Sequence, residues 1–198
     1  MIDWGVASRA LPGEDRSGDL HVVETYRGGA LVAAVDGLGH GDEAADAAET
    51  AAAILSHYCH EPVVSLLGRC HEGMKLTRGA AMSVASLAGD GRTMSWLGVG
   101  NVEASLLRSA PGPRPMRESL LLRGGVVGYR LPRLIPSVVS VGPGDVLIFA
   151  TDGIERPSFD GLRMSDAPTQ IADEILARFA RSTDDALALV VRYRSEAP

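Results

Sequence analysis

The sequence predicts an α+β fold, with strands and helices segregated into layers and not alternating along the chain. Two observations predict it. The middle of the chain is a series of short strand-like runs separated by glycine-containing turns, with a helical pair before it and a single helix after it. Two of the strands, Ala30 to Val35 and Val146 to Ala150, are apolar at every position, as strands covered on both faces must be.

Each element has a local reason. Ile2 to Ala10 is compatible with a strand, and Leu20 to Tyr26 alternates loosely enough to be a second. Arg27-Gly28-Gly29 supplies a hairpin-type turn into the buried run Ala30 to Val35. After Gly41, to His57, the chain is alanine-rich, acidic in its first turns and free of Pro and further Gly, so propensity and the helix dipole both favour a helix. Pro62 opens another, with Val63, Leu66, Leu67, Cys70 and Met74 on one face. Strands follow at Ala80 to Leu87, Thr93 to Val99 and Val102 to Arg108. Ser109 to Glu118, rich in Pro and charge, reads as a surface loop, and Gly124 to Pro136 as a second irregular stretch. Val146 to Ala150 is a strand ending in Thr151-Asp152-Gly153. Pro168 to Phe179 is an amphipathic helix with Ile171, Ile175 and Phe179 four apart, and Leu187 to Tyr193 is the last strand.

The 198 residues suit one domain spanning 1–198, and a chain of that length buries enough surface to need no staples. Cys59 and Cys70 lie in helix-like stretches, show no metal spacing and read as small buried residues of a reducing compartment. The N-terminus lacks a signal-peptide pattern and no apolar run approaches a membrane span, so a cytoplasmic location is expected. The net charge of −6, with scattered basic residues, argues against nucleic acid and anionic membranes as partners.

The chemistry concentrates in acids at strand ends. Val32-Ala33-Ala34-Val35-Asp36-Gly37 and Leu147-Ile148-Phe149-Ala150-Thr151-Asp152-Gly153 are both buried strands that terminate in Asp-Gly. Asp184-Asp185 stands just before the final strand, and Asp19 just before the second. A strand fixes its terminal side chain, and several carboxylates in one cleft need a cation, for which Mg²⁺ or Mn²⁺ is suited. Asp-Gly is also a common turn dipeptide, and Gly89-Asp90-Gly91 reads as one. Placement after doubly buried strands, and the further glycines of Gly37-Leu38-Gly39-His40-Gly41, set the other two apart.

Asp36-Gly37-Leu38-Gly39-His40-Gly41, Thr151-Asp152-Gly153-Ile154-Glu155 and Asp184-Asp185, in this order, resemble the metal-dependent PP2C-type (PPM) serine/threonine phosphatases in their bacterial SpoIIE-like branch. The likeness extends to the RsbX-type phosphatases of the stressosome through Ser17-Gly18-Asp19, Arg69 to Lys75, Arg78-Gly79-Ala80-Ala81 and Val99-Gly100-Asn101-Val102. It implies a four-layer α-β-β-α sandwich, two antiparallel sheets flanked by helices, with two Mn²⁺ or Mg²⁺ ions at one end. Carried over by position, Asp36 would bridge the ions and the Gly37 carbonyl would bind one. Asp152 and Asp184 would hold the other, with Asp185 as the alternative to Asp184. Asp19 would act directly or through water.

The chain departs from the family pattern in places. Leu38 stands where many relatives have the His of DGHG, so His40 is either a substitute proton donor or an exposed histidine at a helix start. Asn101 replaces the Asp of GDSR, which leaves no strong ligand for a third ion, and Leu187 replaces the Thr of DDxT. The phosphate-binding Arg of eukaryotic members has no match; Arg9 and Arg16 are nearby.

The implied activity is hydrolysis of phosphoserine or phosphothreonine by a metal-activated hydroxide, with Asp36, Asp152 and His40 as catalytic residues and no phospho-enzyme. The implied partners are phosphorylated STAS-domain proteins of the stressosome, acted on by a monomer. Specificity is expected in the loops Gly124 to Pro136 and Phe159 to Ala167. Two other readings compete. One is a SpoIIE- or RsbU-like phosphatase of a free anti-anti-sigma factor; the other is a catalytically weak binding module, to which Leu38 and Asn101 lend weight. A haloacid-type phosphatase would need Asp-x-Asp, where this chain has Asp36-Gly37-Leu38.

Overall fold

The fold was analysed in a computed structural model, which describes residues 2–89, 92–109, 116–155 and 161–194. The turn at Asp90 and most of the Ser109 to Glu118 segment lie outside them, as do Phe159 and Asp160.

Two sheets stack face to face. The first runs β1 (Ile2–Arg9), β11 (Ala186–Tyr193), β10 (Val146–Ala150), β6 (Glu103–Leu107), β7 (Arg117–Ser119). The second runs β2 (Asp19–Tyr26), β3 (Gly29–Gly37), β4 (Ala80–Ala88), β5 (Thr93–Val99), β8 (Leu122–Arg123), with β9 (Ser137–Ser140) also on β5. Pairing is antiparallel except between β5 and β8.

The alternation of side chains along each strand builds three cores at once. In β3, Val32 and Ala34 face the other sheet and meet Phe149, Leu187 and Leu189. Leu31, Ala33 and Val35 face outward and are covered by α1 (Asp42–His57) and α2 (Val63–Gly73). On the other side, Ile148, Ala150 and Val190 pack under Ile171 and Ile175 of α3 (Pro168–Phe179). The expected four-layer sandwich is therefore present. The alanines of α1 (Ala44, Ala47, Ala48, Ala51) are fully buried, which lets that helix sit close to the sheet.

Three expectations need correction. The stretch taken as a surface loop to Glu118 ends in β7, whose backbone hydrogen bonds to β6 decide its conformation despite its polar sequence. β8 and β9 were not foreseen, because two- and four-residue edge strands leave no usable periodicity. Cys59 lies in the turn after α1, not in a helix, and is half-buried, while Cys70 is buried in α2 as expected.

Candidate metal centre

The acids meet at one end of the sandwich. Asp36 continues the face of β3 that carries Val32 and Ala34, so its carboxylate enters the gap between the sheets. Asp19 is its direct partner across the β2–β3 pair. From the opposite sheet, Asp152 follows the end of β10 and Asp184 precedes the start of β11, two neighbouring antiparallel strands.

Asp36, Asp152 and Asp184 line one cavity of about 220 Å³ together with Leu38, Gly39, His40, Ala81, Asn101 and Thr183. No Lys or Arg is among those lining residues. A larger hollow of about 610 Å³ opens at the other end of the first sheet, but its Arg108 is already met by Glu118 and Asp145. Chemistry, not size, singles out the acid cavity.

The remaining predicted residues stand behind its wall. Asp19 is buried and accepts a hydrogen bond from Thr151 Oγ1 (2.6 Å), which ties the two sheets together under the cavity. Thr151 is a residue sequence reasoning missed; its position directly before Asp152 was the available signal. Asp185 is buried, and both its oxygens are taken by backbone N–H groups, Leu11 at 2.8 Å and Gly18 at 2.9 Å. Asp184 thus faces the cavity, and Asp185 fastens the β1–β2 connection. Asn101 Nδ2 donates to Asp152 Oδ2 (2.6 Å). His40 is 61% exposed and its Nδ1 lies 2.8 Å from Glu14. Arg16 is held by Asp42, Asp46 and Glu49 of α1. Arg9 donates to the Arg181 carbonyl.

The two Asp-Gly glycines have a steric function that differs from the sharp turn the sequence suggested, since neither has a positive φ. A Cβ on Gly37 would lie 2.0 Å from the Ala44 carbonyl of α1, and one on Gly153 would lie 1.8 Å from the Asp185 carbonyl. Only glycine lets backbone approach so closely directly behind each acid. Gly39 (φ +93°) does adopt the left-handed conformation, and a Cβ there would lie 2.6 Å from Arg78.

The electrostatics fit a cation. Burial, followed by the charges of Asp19, Asp152, Asp184 and Asp185, pushes Asp36 from 3.8 up to about 8. Burial also dominates for Asp19, raised to about 7 against the opposing Thr151 hydrogen bond. Asp184 is raised by burial and by Asp152. Among the described residues no group of three or more His, Cys, Asp or Glu side chains is placed to hold a metal ion by itself. An all-oxygen, open donor set suits Mg²⁺ or Mn²⁺, which keep several waters, better than Zn²⁺.

A pH dependence follows. The folded, metal-free protein holds the Asp36 and Asp19 protons more tightly than the unfolded chain does. Their contribution to stability is complete below about pH 4 and disappears as pH rises through 7 to 8. In EDTA the melting temperature should therefore fall between about pH 4 and pH 8 and level off above that, and saturating Mn²⁺ should remove most of that fall near pH 7 to 8. A fall of equal size with and without Mn²⁺ would refute the cation site.

The paired acids separate in the same assay. Asp184→Asn should weaken Mn²⁺ binding with little change in stability. Asp185→Asn should leave a buried N–H poorly paired and cost about 1–3 kcal/mol, about 2–4 °C in melting temperature per kcal/mol. Calorimetric titration and thermal melts of both variants check this, and the reverse pattern would exchange their roles.

No family model matches the sequence. A curated relative, the phosphoserine phosphatase RsbX of Bacillus subtilis (strain 168), is 27% identical over 158 residues, covering 78% of this chain and 76% of the relative. A structure solved in work on the bacterial stressosome, a modular system adapted to control secondary messenger signaling, superposes with a TM-score of 0.87 at 26% identity. That match covers 97% of this chain and 100% of the other. The chain is similar in sequence to a phosphoserine phosphatase and shares the fold of the PP2C phosphatases. RsbX in complex with magnesium, at 22% identity, shares this chain's fold with a TM-score of 0.83 over 96% of this chain and 94% of its own. The described residues include no helix long and apolar enough to cross a membrane.

Proposed function

We propose that residues 1–198 form one catalytic domain that hydrolyses phosphoserine or phosphothreonine on STAS-domain proteins of a stressosome. Two Mg²⁺ or Mn²⁺ ions would be held by Asp36, Asp152 and Asp184. The observation that carries this reading is the cavity itself: three carboxylates from opposite sheets and no Lys or Arg to neutralise them. The phosphoserine activity of the curated relative, the stressosome origin of the structural neighbour and the magnesium bound by RsbX support it.

When bound, the ions supply an activated water and countercharge for the phosphoryl group. The chain's own residues hold the rest of the geometry. Asp36 reaches between the sheets and would be the ligand the ions share, with the Gly37 carbonyl as the further ligand the resemblance implies. Asp19 is oriented by Thr151, and Asp152 by the Asn101 amide. As the imidazolium, with Nδ1–H toward Glu14, His40 would donate its Nε2 proton to the departing serine oxygen and be left as the neutral imidazole. Leu38, Gly39 and Ala81 supply the uncharged, non-hydrogen-bonding part of the cavity lining. The protein would work as a cytoplasmic monomer.

The test is phosphate release from a phosphorylated stressosome STAS-domain protein and, separately, from a phosphorylated free anti-anti-sigma factor. Faster release from the first supports the proposal. Preference for the second would assign a SpoIIE- or RsbU-like substrate instead, and tight binding without release would favour the binding module.

A further inference from the structure

One wall of the acid cavity continues into a surface of opposite charge. Although the chain carries 25 acidic residues, none lies between Glu118 and Asp145, whereas Arg123, Arg130 and Arg133 do. Among the described residues none of these three arginines has a carboxylate partner. Elsewhere the arginines near the cavity are neutralised: Arg16 by three acids of α1, and Arg78 by Glu43.

The segment is rigid where it matters. Val126 and Arg130 exchange two backbone hydrogen bonds (3.0 and 2.8 Å) around a tight turn in which Gly128 has φ +96°. Val127 is fully buried and pairs with Ala80 through two more bonds (3.0 and 2.9 Å). The Gly128 N–H donates to His71 Nδ1 (3.1 Å). This fixed hairpin holds out Tyr129, 83% exposed, beside the exposed Arg130. Its neighbours are the cavity wall itself. Ala80 precedes Ala81, and the Arg123 carbonyl accepts from Gly100 N–H (2.9 Å) next to Asn101; Ala81 and Asn101 both line the cavity.

We propose that the Val126–Arg130 hairpin, with Tyr129 and Arg130 at its tip and Arg123 at its base, grips acidic protein surface flanking the phosphorylated residue. This deepens the phosphatase reading and rests on it. Tyrosine and arginine are the side chains that most often carry binding energy, and a preorganised loop avoids the entropy of ordering them. Unneutralised guanidinium groups select carboxylates and repel a basic flank.

The experiment uses two phosphoserine peptides, identical except that one has Asp and Glu flanks and the other Asn and Gln, with p-nitrophenyl phosphate as a substrate lacking flanks. The wild type should prefer the acidic peptide about tenfold in kcat/KM, through KM. Tyr129→Ala and the double variant Arg123→Ala/Arg130→Ala should raise KM for that peptide, and leave its kcat and p-nitrophenyl phosphate turnover unchanged. Absence of the preference in the wild type, or its persistence in the double variant, overturns the proposal. Should no substrate be hydrolysed, the phosphatase reading fails separately. Fluorescence anisotropy of the same peptides then decides: about tenfold weaker binding of the acidic peptide by the double variant supports the docking surface, and equal binding overturns it.

Discussion

Asp36→Asn should lower phosphate release by at least about 10³-fold while raising the melting temperature of the metal-free protein. Both effects come from the same burial. Asp36 stands where the two sheets converge, facing Asp152 and Asp184 across the cavity and paired with Asp19 in the β-ladder. In the proposed function its charge would be a ligand the cations share, and the isosteric amide would be a far weaker one. Without them, that charge is buried among four other acids, which is why its proton is held up to about 8. Removing the charge relieves the metal-free protein and disables the enzyme. Phosphate-release kinetics and calorimetry in EDTA measure the two halves independently. Turnover within tenfold of wild type, or a lower metal-free melting temperature, would contradict the account.

Gly153→Ala should be the most damaging single methyl in the molecule's functional half. The added carbon would lie 1.8 Å from the Asp185 carbonyl oxygen and 2.8 Å from its carbon, both backbone atoms without a rotamer to yield. The Gly153 carbonyl also accepts from Arg181 N–H (2.8 Å), so the turn cannot swing away cheaply. The ends of β10 and β11 must part, and with them Asp152 and Asp184. We expect a loss of about 3 kcal/mol or more, a fall of at least about 6 °C in melting temperature, and weakened Mn²⁺ binding. Gly68→Ala, in α2 with nothing within 4 Å of the added carbon, is the matched control and should be neutral or stabilising. A Gly153→Ala protein that melts with the wild type would show that the two strand ends have slack.

The elements that could be read from sequence were those whose side chains alone decide their structure. The burial of β3 on both faces, the alanine stripe of α1 and the apolar spacing of α3 are written in residue type and period. So was the gathering of Asp36, Asp152 and Asp184, because each closes or opens a buried strand. What could not be read was set by partners distant in the chain. β7 is a strand only because β6 pairs with it. Asp184 and Asp185 are equivalent as letters and diverge only because Leu11 and Gly18 present N–H groups to the second. The glycines after Asp36 and Asp152 were recognisable as necessary, but for the wrong reason. Close backbone approach from α1 and from the Asp185 turn demands them, and neither contact is local in sequence.

The central claim is that this cavity works as a divalent-metal phosphatase centre. The direct measurement is release of phosphate from a phosphoserine STAS-domain protein by the wild type after EDTA treatment, before and after Mn²⁺ is restored. The account predicts no release in EDTA and recovery with Mn²⁺ in wild type, with none in Asp36→Asn. Release that persists in EDTA, or recovers equally in Asp36→Asn, would contradict it.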